Sequence, residues 1–288
     1  MPITTEFYSD VIVKMATWSR DISQDITDAS LDMGTSQVAE LTISVDDPGY
    51  AIFGNSDIPL DTDVDYQNLA LSIAVIETNA GGGEGGFTIR CRPRAVRALK
   101  ARRGPFSVSR VSPSTYVQIE CGAVGVPTII QSSASRSLVA RDVTVVGQQG
   151  NADSSAWSTF QRLADELGYL CFEVNGVIVF GQPSWLVTVM PVASVVWNLD
   201  DDSRAPTEHP TCTQSLDNNS RKTVELHVPA ERANEFFPGF ALDFSGIPKF
   251  EGRYFITSVG YPLVDSVDEV SVSAETPFDP EPQGESTL

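Results

Sequence analysis

A short stretch in the middle of the chain, Ser155–Trp185, constrains the fold more than any other part of the 288-residue sequence. Its first half repeats apolar residues at helical spacing, and the period then switches to two, as in a β-strand. Ser154 or Ser155 can cap the helix, and Gly168 can end it in a left-handed conformation. Asn175-Gly176 then separates two apolar runs, the strongest short-range hairpin signal. The stretch predicts an amphipathic helix that leads directly into a tight β-hairpin.

The predicted hairpin is apolar on both of its faces. A two-residue turn gives three cross-strand pairs: Val174 with Val177, Phe172 with Val179, and Cys171 with Phe180. The one charged residue in its strands is Glu173. Such a hairpin cannot lie on a surface, because either face would expose apolar area to water. We expect the helix to cover one face and another domain or subunit to cover the other.

Alternating apolar and polar residues predict strands in much of the remaining chain. The clearest runs are centred on Ile43, Ile73, Ile89, Ile256 and Val272. Turn residues separate these runs at short intervals, which favours barrels or sandwiches over β-α-β units. The sequence therefore indicates a mainly β fold, of the α+β class.

Only two helices are predicted. One lies within Ser155–Trp185, and the other is Arg94–Arg103, which Pro93 opens and Gly104 closes. Residues 107–146 are rich in Ser, Val and Thr and indicate the start of a separate, mixed subdomain.

The chain is strongly acidic, with 38 Asp and Glu against 19 Lys and Arg and a formal net charge of −19. This balance argues against nonspecific binding to nucleic acids, since affinity for phosphates requires clustered basic residues. The excess of Asp and the scarcity of Lys suit a halophilic archaeal host, and a GC-rich bacterial genome is the alternative.

The sequence carries no signal of secretion, membrane insertion or metal binding. The first residues lack the apolar core of a signal peptide, and the longest apolar run, Trp185–Trp197, is too short to span a bilayer. The isolated cysteines are expected to be buried free thiols in a reducing compartment: Cys91, Cys121, Cys171 and Cys212.

Several motifs are candidates for sites of chemistry. The glycine run 81–86 lacks the Lys-Ser/Thr of a phosphate-binding loop and is predicted to be a hairpin tip. Asp61, Asp63 and Asp65 share a face of an extended segment, which is predicted to be a solvated acidic edge, with calcium binding as the alternative. Neither His209 nor His227 has a partner at recognisable catalytic spacing. We expect no catalytic residue, cofactor or metal site.

One basic stretch interrupts the acidic sequence. No acidic residue occurs between Gly85 and Ile119, whereas eight basic residues do. Arginine forms paired hydrogen bonds to carboxylates, so the stretch is a candidate for docking onto an acidic patch of a neighbouring subunit. A solvated helix face and DNA binding are the alternatives. The candidate interface residues are Arg90, Arg92, Arg94, Arg97, Lys100, Arg102 and Arg103.

Three segments together resemble a known family. Ala164–Pro183, ADELGYLCFEVNGVIVFGQP, resembles the helix, strand, turn and strand of phage tail hub proteins. Phe236–Pro277 is similar to the closing barrel of that family, with its Pro-Gly turn, Tyr-x-Ile-x-x-Val strand and Val-rich final strand. The N-terminal strands that end in the basic helix are the third segment. The family that these segments resemble is the gp27-like baseplate hub of tailed viruses and related contractile injection particles, with its relatives at the tip of long non-contractile tails.

The resemblance implies two β-barrel-like domains around an inserted α/β part. Residues 1–105 would form the first barrel and end in the basic helix, 106–195 the inserted subdomain with its helix and hairpin, and 196–277 the second barrel. Residues 278–288 contain acids and prolines but no basic residue, and we expect this tail to be disordered.

The resemblance also implies a place in a virion. A homotrimer with two barrels per subunit would form a pseudo-sixfold ring that matches the sixfold tail tube to a threefold tip or spike. The implied partners are the tail tube or distal tail protein, the spike, needle or tip protein, and the tape-measure protein. Viral DNA would pass through an acidic channel that repels its phosphates, without specific binding. The expected location is the tail tip or baseplate, assembled in the host cytoplasm, with no membrane insertion.

Two other functions remain open from the sequence. A receptor-binding or fibre-attachment tail protein would have exposed aromatic patches that bind carbohydrate. A cell-wall glycan hydrolase would use a pair of carboxylates in a barrel cleft.

Overall fold

The chain is described from a computed structural model, in which strands predominate as predicted. Within the described residues the strands form a 13-stranded, a three-stranded and a two-stranded sheet. The described residues are 12–14, 19–21, 25–47, 60–66, 69–78, 85–103, 106–133, 137–141, 155–197, 204–215, 221–262 and 269–281.

The N-terminal strands form one end of the large sheet, in the order β3-β4-β7-β6-β5-β1-β2 with antiparallel neighbours. The alternation that predicts three of them is confirmed, since Ile43, Ile73 and Ile89 are buried. The strands are β1 Ile12–Lys14, β2 Ser19–Asp21, β3 Ile26–Gly34, β4 Glu40–Asp46, β5 Asp63–Tyr66, β6 Leu69–Thr78 and β7 Gly86–Pro93.

The middle of the chain mixes helices with short strands. Strands β11, β12 and β9 form the three-stranded sheet, in that order, and β8 pairs with β10. The elements are α1 Arg94–Ala101, β8 Phe106–Val111, α2 Pro113–Ala123, β9 Thr128–Ile130, β10 Ser137–Arg141, α3 Ala156–Leu167, β11 Leu170–Val174, β12 Val177–Gly181 and α4 Pro183–Val189.

The prediction of only two helices is wrong, because α2 and α4 are helices as well. Each starts with proline in its first turn, where the missing N–H needs no partner. The Ser112 hydroxyl caps α2 by accepting a hydrogen bond from the Thr115 amide at 3.2 Å. Helix α2 buries Glu120 together with its apolar residues, and α4 has only seven residues, so neither shows a clear apolar stripe in the sequence.

The C-terminal strands complete the large sheet. Strand β13 runs parallel to β16, whereas the other pairs in this part are antiparallel. The elements are β13 Val192–Val196, β14 Thr211–Gln214, β15 Lys222–Pro229, a 3-10 helix Ala230–Glu235, β16 Ala241–Ser245, β17 Gly252–Pro262 and β18 Glu269–Glu275.

Strand β17 connects the N-terminal strands to the C-terminal strands. Its first residues pair with β16, and its last residues pair with β3, where Val259 lies opposite Met33. Buried apolar residues of β3, β4, β6 and β7 pack with those of β13 and β15–β18 in one core. The N- and C-terminal strands therefore share a sheet and a core. The division of the chain at residues 105 and 195 stays a prediction.

The predicted helix and hairpin are confirmed. The Ser155 hydroxyl caps α3 by accepting a hydrogen bond from the Ser158 amide at 3.2 Å, and Gly168 ends the helix with φ of 64°. Asn175 and Gly176 have φ of 54° and 80°, which is the conformation that a two-residue turn of type I′ requires. All three predicted cross-strand pairs are present.

Both apolar faces of the hairpin are covered by the same chain. On one face, Cys171, Ile178 and Phe180 pack with buried residues of α1, α2 and α3. On the other face, Phe172, Val174 and Val179 pack with residues of α4, β16 and β17. The second cover is thus the C-terminal strands, so the fold itself buries the hairpin without a second subunit.

The predicted disorder of the C-terminal tail does not extend to its first residues. Asp279 accepts hydrogen bonds from the Ser184 amide at 2.9 Å and the Ser184 hydroxyl at 2.6 Å, at the start of α4. Phe278 lies under the Arg221 guanidinium, 3.7 Å from it. Residues 282–288 lie outside the described residues. Among the helices of the described residues, none has the length and apolarity to cross a bilayer.

Candidate functional site: the basic belt

The predicted interface residues form a belt along β7 and α1. On β7, Ile89 and Cys91 are buried, which turns Arg90 and Arg92 to the outer face of the sheet. Helix α1 buries Ala95, Val96 and Leu99 against the cluster around α3, so its basic residues face outward. We call the seven residues Arg90, Arg92, Arg94, Arg97, Lys100, Arg102 and Arg103 the basic belt.

The two arginines of β7 bond to carboxylates of neighbouring strands. Arg92 donates from Nε and a terminal nitrogen to one oxygen of Glu40, at 3.0 and 2.9 Å. Arg90 donates to Glu77 at 3.2 Å and lies 3.8 Å from Glu40. These side chains are partly exposed, so each pair contributes little to stability but neutralises the charge of the belt locally.

The first arginines of α1 bond to the acidic segment that the sequence marks as a solvated edge. Arg94 lies 3.1 Å from Asp63 and donates to the Leu71 carbonyl at 2.8 Å. Arg97 lies 2.8 Å from the carboxylate of Asp61 and also donates to its carbonyl, at 3.1 Å. Among the described residues, no three His, Cys, Asp or Glu side chains are grouped so that they could hold a metal.

The end of α1 ties the belt to the helical part of the chain. Arg102 donates from Nε to Glu120 of α2 at 2.5 Å, and its carbonyl accepts from the Ala156 amide of α3 at 3.0 Å. The Glu120 side chain is fully buried. Arg103 donates to the Lys100 carbonyl at 3.3 Å. Neither the Arg103 guanidinium nor the Lys100 ammonium group has a carboxylate partner within the described residues.

A cleft of about 470 Å³ lies beside the belt, lined by Asp32, Gln37, Val38, Glu40 and Arg92. Burial and the neighbouring Glu40 raise the pKa of Asp32. Strands β3 and β4 place these two carboxylates directly opposite each other, and Arg92 offsets their repulsion. The arrangement can bind charged groups, and it offers no nucleophile held by a base.

The two histidines lie in different surroundings. His227 lies between Glu208 and Glu269, at 3.4 and 3.5 Å from its two ring nitrogens. The His209 ring packs edge-on against Trp197, with the ring centroids 4.9 Å apart. Most of the glycine run falls outside the described residues, and Gly86 begins β7.

The cysteines are free, as predicted, and three of the four are buried. Burial raises the pKa of Cys91 and of Cys121 to about 12. Both thiols therefore stay protonated at neutral pH and are poor nucleophiles.

Sequence reasoning assigned no role to two buried carboxyl groups, Glu120 and Glu173. Glu120 is the partner of Arg102. Its burial could not be predicted, because helix α2 itself was not predicted from the sequence. Glu173 stands out in the sequence as the one charge in the hairpin, and it is 4% exposed. A charge within an otherwise apolar strand was the available signal for such a buried group.

Comparison with known proteins gives matches in structure and none in sequence. No known protein family matches the chain, and no curated protein matches it. The 43 kDa tail protein of prophage MuSo2 from Shewanella oneidensis has a similar fold, with a TM-score of 0.63 and 10% identity. The similarity covers 93% of this chain and 99% of that one.

Two further structures agree with this one. A tail protein from Neisseria meningitidis MC58 has a TM-score of 0.62 at 11% identity, over 92% of this chain and 96% of that one. An E. coli protein, c3393, has a TM-score of 0.60 at 15% identity, over 90% of this chain and 75% of that one. That protein is a component of the type VI secretion system with structural similarity to the T4 tail proteins gp27 and gp5. This chain thus has the fold of phage tail proteins, as its resemblance to the hub family implies.

Proposed function

We propose that this protein is the hub of a virus tail tip or baseplate, or of a related contractile particle. It assembles as a homotrimeric ring that joins the tail tube to the tip or spike and surrounds the DNA channel. The observation that carries the proposal is the match to a phage tail protein over nearly the full length of both chains. A match of this extent covers the sheet, the helical part and the hairpin together.

The internal construction supports a load-transmitting role. Strand β17 pairs with β3, β16 and β18, so one strand connects both ends of the chain in a single sheet. The hairpin is packed between the helices and the C-terminal strands. We propose that residues 1–105 and 196–277 are the two barrel-like units of the ring and that 106–195 is the inserted part between them.

The basic belt is proposed as a contact surface through only part of its length. Five of its seven members bond to carboxylates of their own chain: Arg90, Arg92, Arg94, Arg97 and Arg102. Lys100 and Arg103, which have no carboxylate partner among the described residues, are the members that can reach another molecule. The proposal is thus that most of the belt is neutralised by its own chain and that Lys100 and Arg103 carry its contribution to assembly.

The proposed role is structural and not catalytic. The chain has twice as many acidic as basic residues, so a ring of three copies repels the DNA that passes through it. The proposed partners are the tail tube or distal tail protein, the spike or tip protein and the tape-measure protein.

Sedimentation velocity of the purified protein tests the proposal at low and at high salt. The expected species has three times the 31.1 kDa mass of one chain. A particle that remains monomeric at every salt and protein concentration would contradict the ring.

A further inference from the structure

Two of the four lysines of the chain come together far from the belt in sequence. Lys222 begins β15, and Lys249 lies in the turn before β17. The Lys222 ammonium donates to the Lys249 carbonyl at 2.6 Å. In the part of the chain that the structure describes, neither ammonium group has a carboxylate within ion-pair distance. Unpaired cations are unusual in a chain with 38 acidic and 19 basic residues.

Both lysines lie near one aromatic ring. The ammonium groups of Lys222 and Lys249 lie 6.0 and 5.8 Å from the centre of the Phe250 ring. Phe250 is half-buried and packs against the main core. The turn is fixed, because the Phe250 amide donates to the Ile247 carbonyl at 2.7 Å and the Tyr254 hydroxyl donates to the Phe250 carbonyl at 2.6 Å.

A third cation extends the same surface. Arg221 stacks 3.7 Å above the Phe278 ring, and a carboxylate oxygen of Glu275 lies 3.8 Å from its guanidinium. The Thr276 amide donates to the Lys222 carbonyl at 2.9 Å, and the Lys222 amide donates to the Thr276 hydroxyl at 3.2 Å, which holds the two sides of the surface together. We call Arg221, Lys222, Lys249, Phe250 and Phe278 the lysine-phenylalanine patch.

The charge and the aromatic rings of the patch favour binding to an anionic surface. Lys222 and Lys249 share one surface without a carboxylate at ion-pair distance among the described residues, and an incoming carboxylate would relieve the repulsion between them. Half-buried rings beside the cations reduce local exposure to water, which strengthens such a contact. Three cations are too few to hold a polyphosphate against a chain of net charge −19, whereas that same charge supplies carboxylates on any second copy.

We infer that the lysine-phenylalanine patch docks onto a carboxylate-bearing surface of a second copy of this chain. This inference rests on the proposed function and names one surface of the ring contact. Two basic patches repel each other, so the patch cannot face its own equivalent across a twofold axis. The contact is therefore heterologous, between two different surfaces, which is the kind of contact that generates a cyclic ring.

Carbodiimide coupling tests the contact in the wild-type protein, because this reagent joins a lysine to a carboxylate with no spacer. Mixing isotopically labelled and unlabelled chains distinguishes cross-links between copies from those within one copy. The inference predicts mixed-isotope cross-links at Lys222 or Lys249, and their partner peptide identifies the acidic surface. A ring without any intersubunit cross-link at these two lysines would overturn the inference.

A pair of charge-matched variants gives a second test. Lys222→Gln with Lys249→Gln removes two cations that have no carboxylate partner in the described part of the chain, whereas Arg162→Gln with Arg253→Gln removes two that pair with Glu166 and Asp243. The patch variant is expected to weaken association by about tenfold or more at low salt, with unchanged thermal stability of the monomer. The control variant should associate as the wild type does.

The experiments distinguish a failure of the proposed hub from a failure of the patch contact. If the wild-type protein is monomeric under all conditions, the proposed hub is wrong. If the ring forms and the patch variant associates like the control, the hub stands and the inference about the patch is wrong.

Discussion

Glu173 shows how one buried side chain sets a property of the whole fold. One of its oxygens accepts a hydrogen bond from the Gly176 amide at 2.5 Å, and the other is buried with no partner in the described structure. Burial raises the pKa of this carboxyl from 4.5 to about 7, and the bond from Gly176 opposes the rise. The folded protein therefore keeps this proton at a pH where the unfolded chain has lost it.

Replacing Glu173 with Gln is expected to stabilise the protein in a pH-dependent way. The free energy of unfolding of the wild type falls as the pH rises from about 4.5 to about 7, because the folded state binds the proton more tightly. Glu173→Gln removes this loss, which at pH above 7 amounts to at most about 3 kcal/mol. Urea unfolding at acidic and alkaline pH measures it. Glu166→Gln, on the partly exposed side of α3, is the control, and an equal gain at both pH values for Glu173→Gln would contradict the account.

Gly239 is required where the C-terminal strands meet the hairpin. Its φ is +88°, and a Cβ there would lie 2.6 Å from the Phe172 ring. Gly125 has a similar φ of +72° with open space around it. Gly125→Ala should therefore cost only backbone strain, about 1 kcal/mol, whereas Gly239→Ala should cost roughly 1–3 kcal/mol more. Equal losses of unfolding free energy for the two variants in urea would show that the Phe172 ring moves away from the new Cβ without an energetic penalty.

At the scale of elements, an ion pair between the partly exposed Arg102 and the buried Glu120 connects the end of α1 to α2. The Glu120 side chain is fully buried, whereas the Arg97–Asp61 pair at the other end of the belt is largely exposed. Removing the cation beside a fully buried carboxylate weakens the compensation of a buried charge, whereas removing one partner of an exposed pair costs little.

This difference gives a test with a matched control. Arg102→Met is expected to lower the free energy of unfolding by roughly 2–4 kcal/mol, and Arg97→Met by less than about 1 kcal/mol. Adding Glu120→Gln to Arg102→Met should recover part of the loss, since no buried charge then remains. Similar effects of the two arginine substitutions would mean that Arg102 does not pair with the buried Glu120 in solution.

The same scale explains which elements could be predicted from the sequence. Helix α3 and its hairpin were predictable because the cap, the apolar stripe, Gly168 and Asn175-Gly176 all indicate one structure. Helices α2 and α4 were missed because their signals are local prolines without an apolar stripe. The ion pairs of the belt depend on carboxylates such as Glu40, 52 positions from Arg92, which no local pattern reveals.

For the whole molecule, the order of the elements was more informative than any motif. The run of strands, basic helix, helix with hairpin and closing strands predicted the tail-protein fold at sequence identities of only 10–15%. The pairing of β3 with β17 was not predictable, because the partners are over two hundred residues apart and each alternates like any half-buried strand.

The proposed hub requires three copies that close into a ring with a passage for DNA. Electron microscopy of the purified protein at low salt, with class averages computed without imposed symmetry, shows how the copies are arranged. We expect threefold particles with a central opening and an acidic inner surface. Particles of single chains, or rings whose opening is lined by the basic belt, would contradict this expectation.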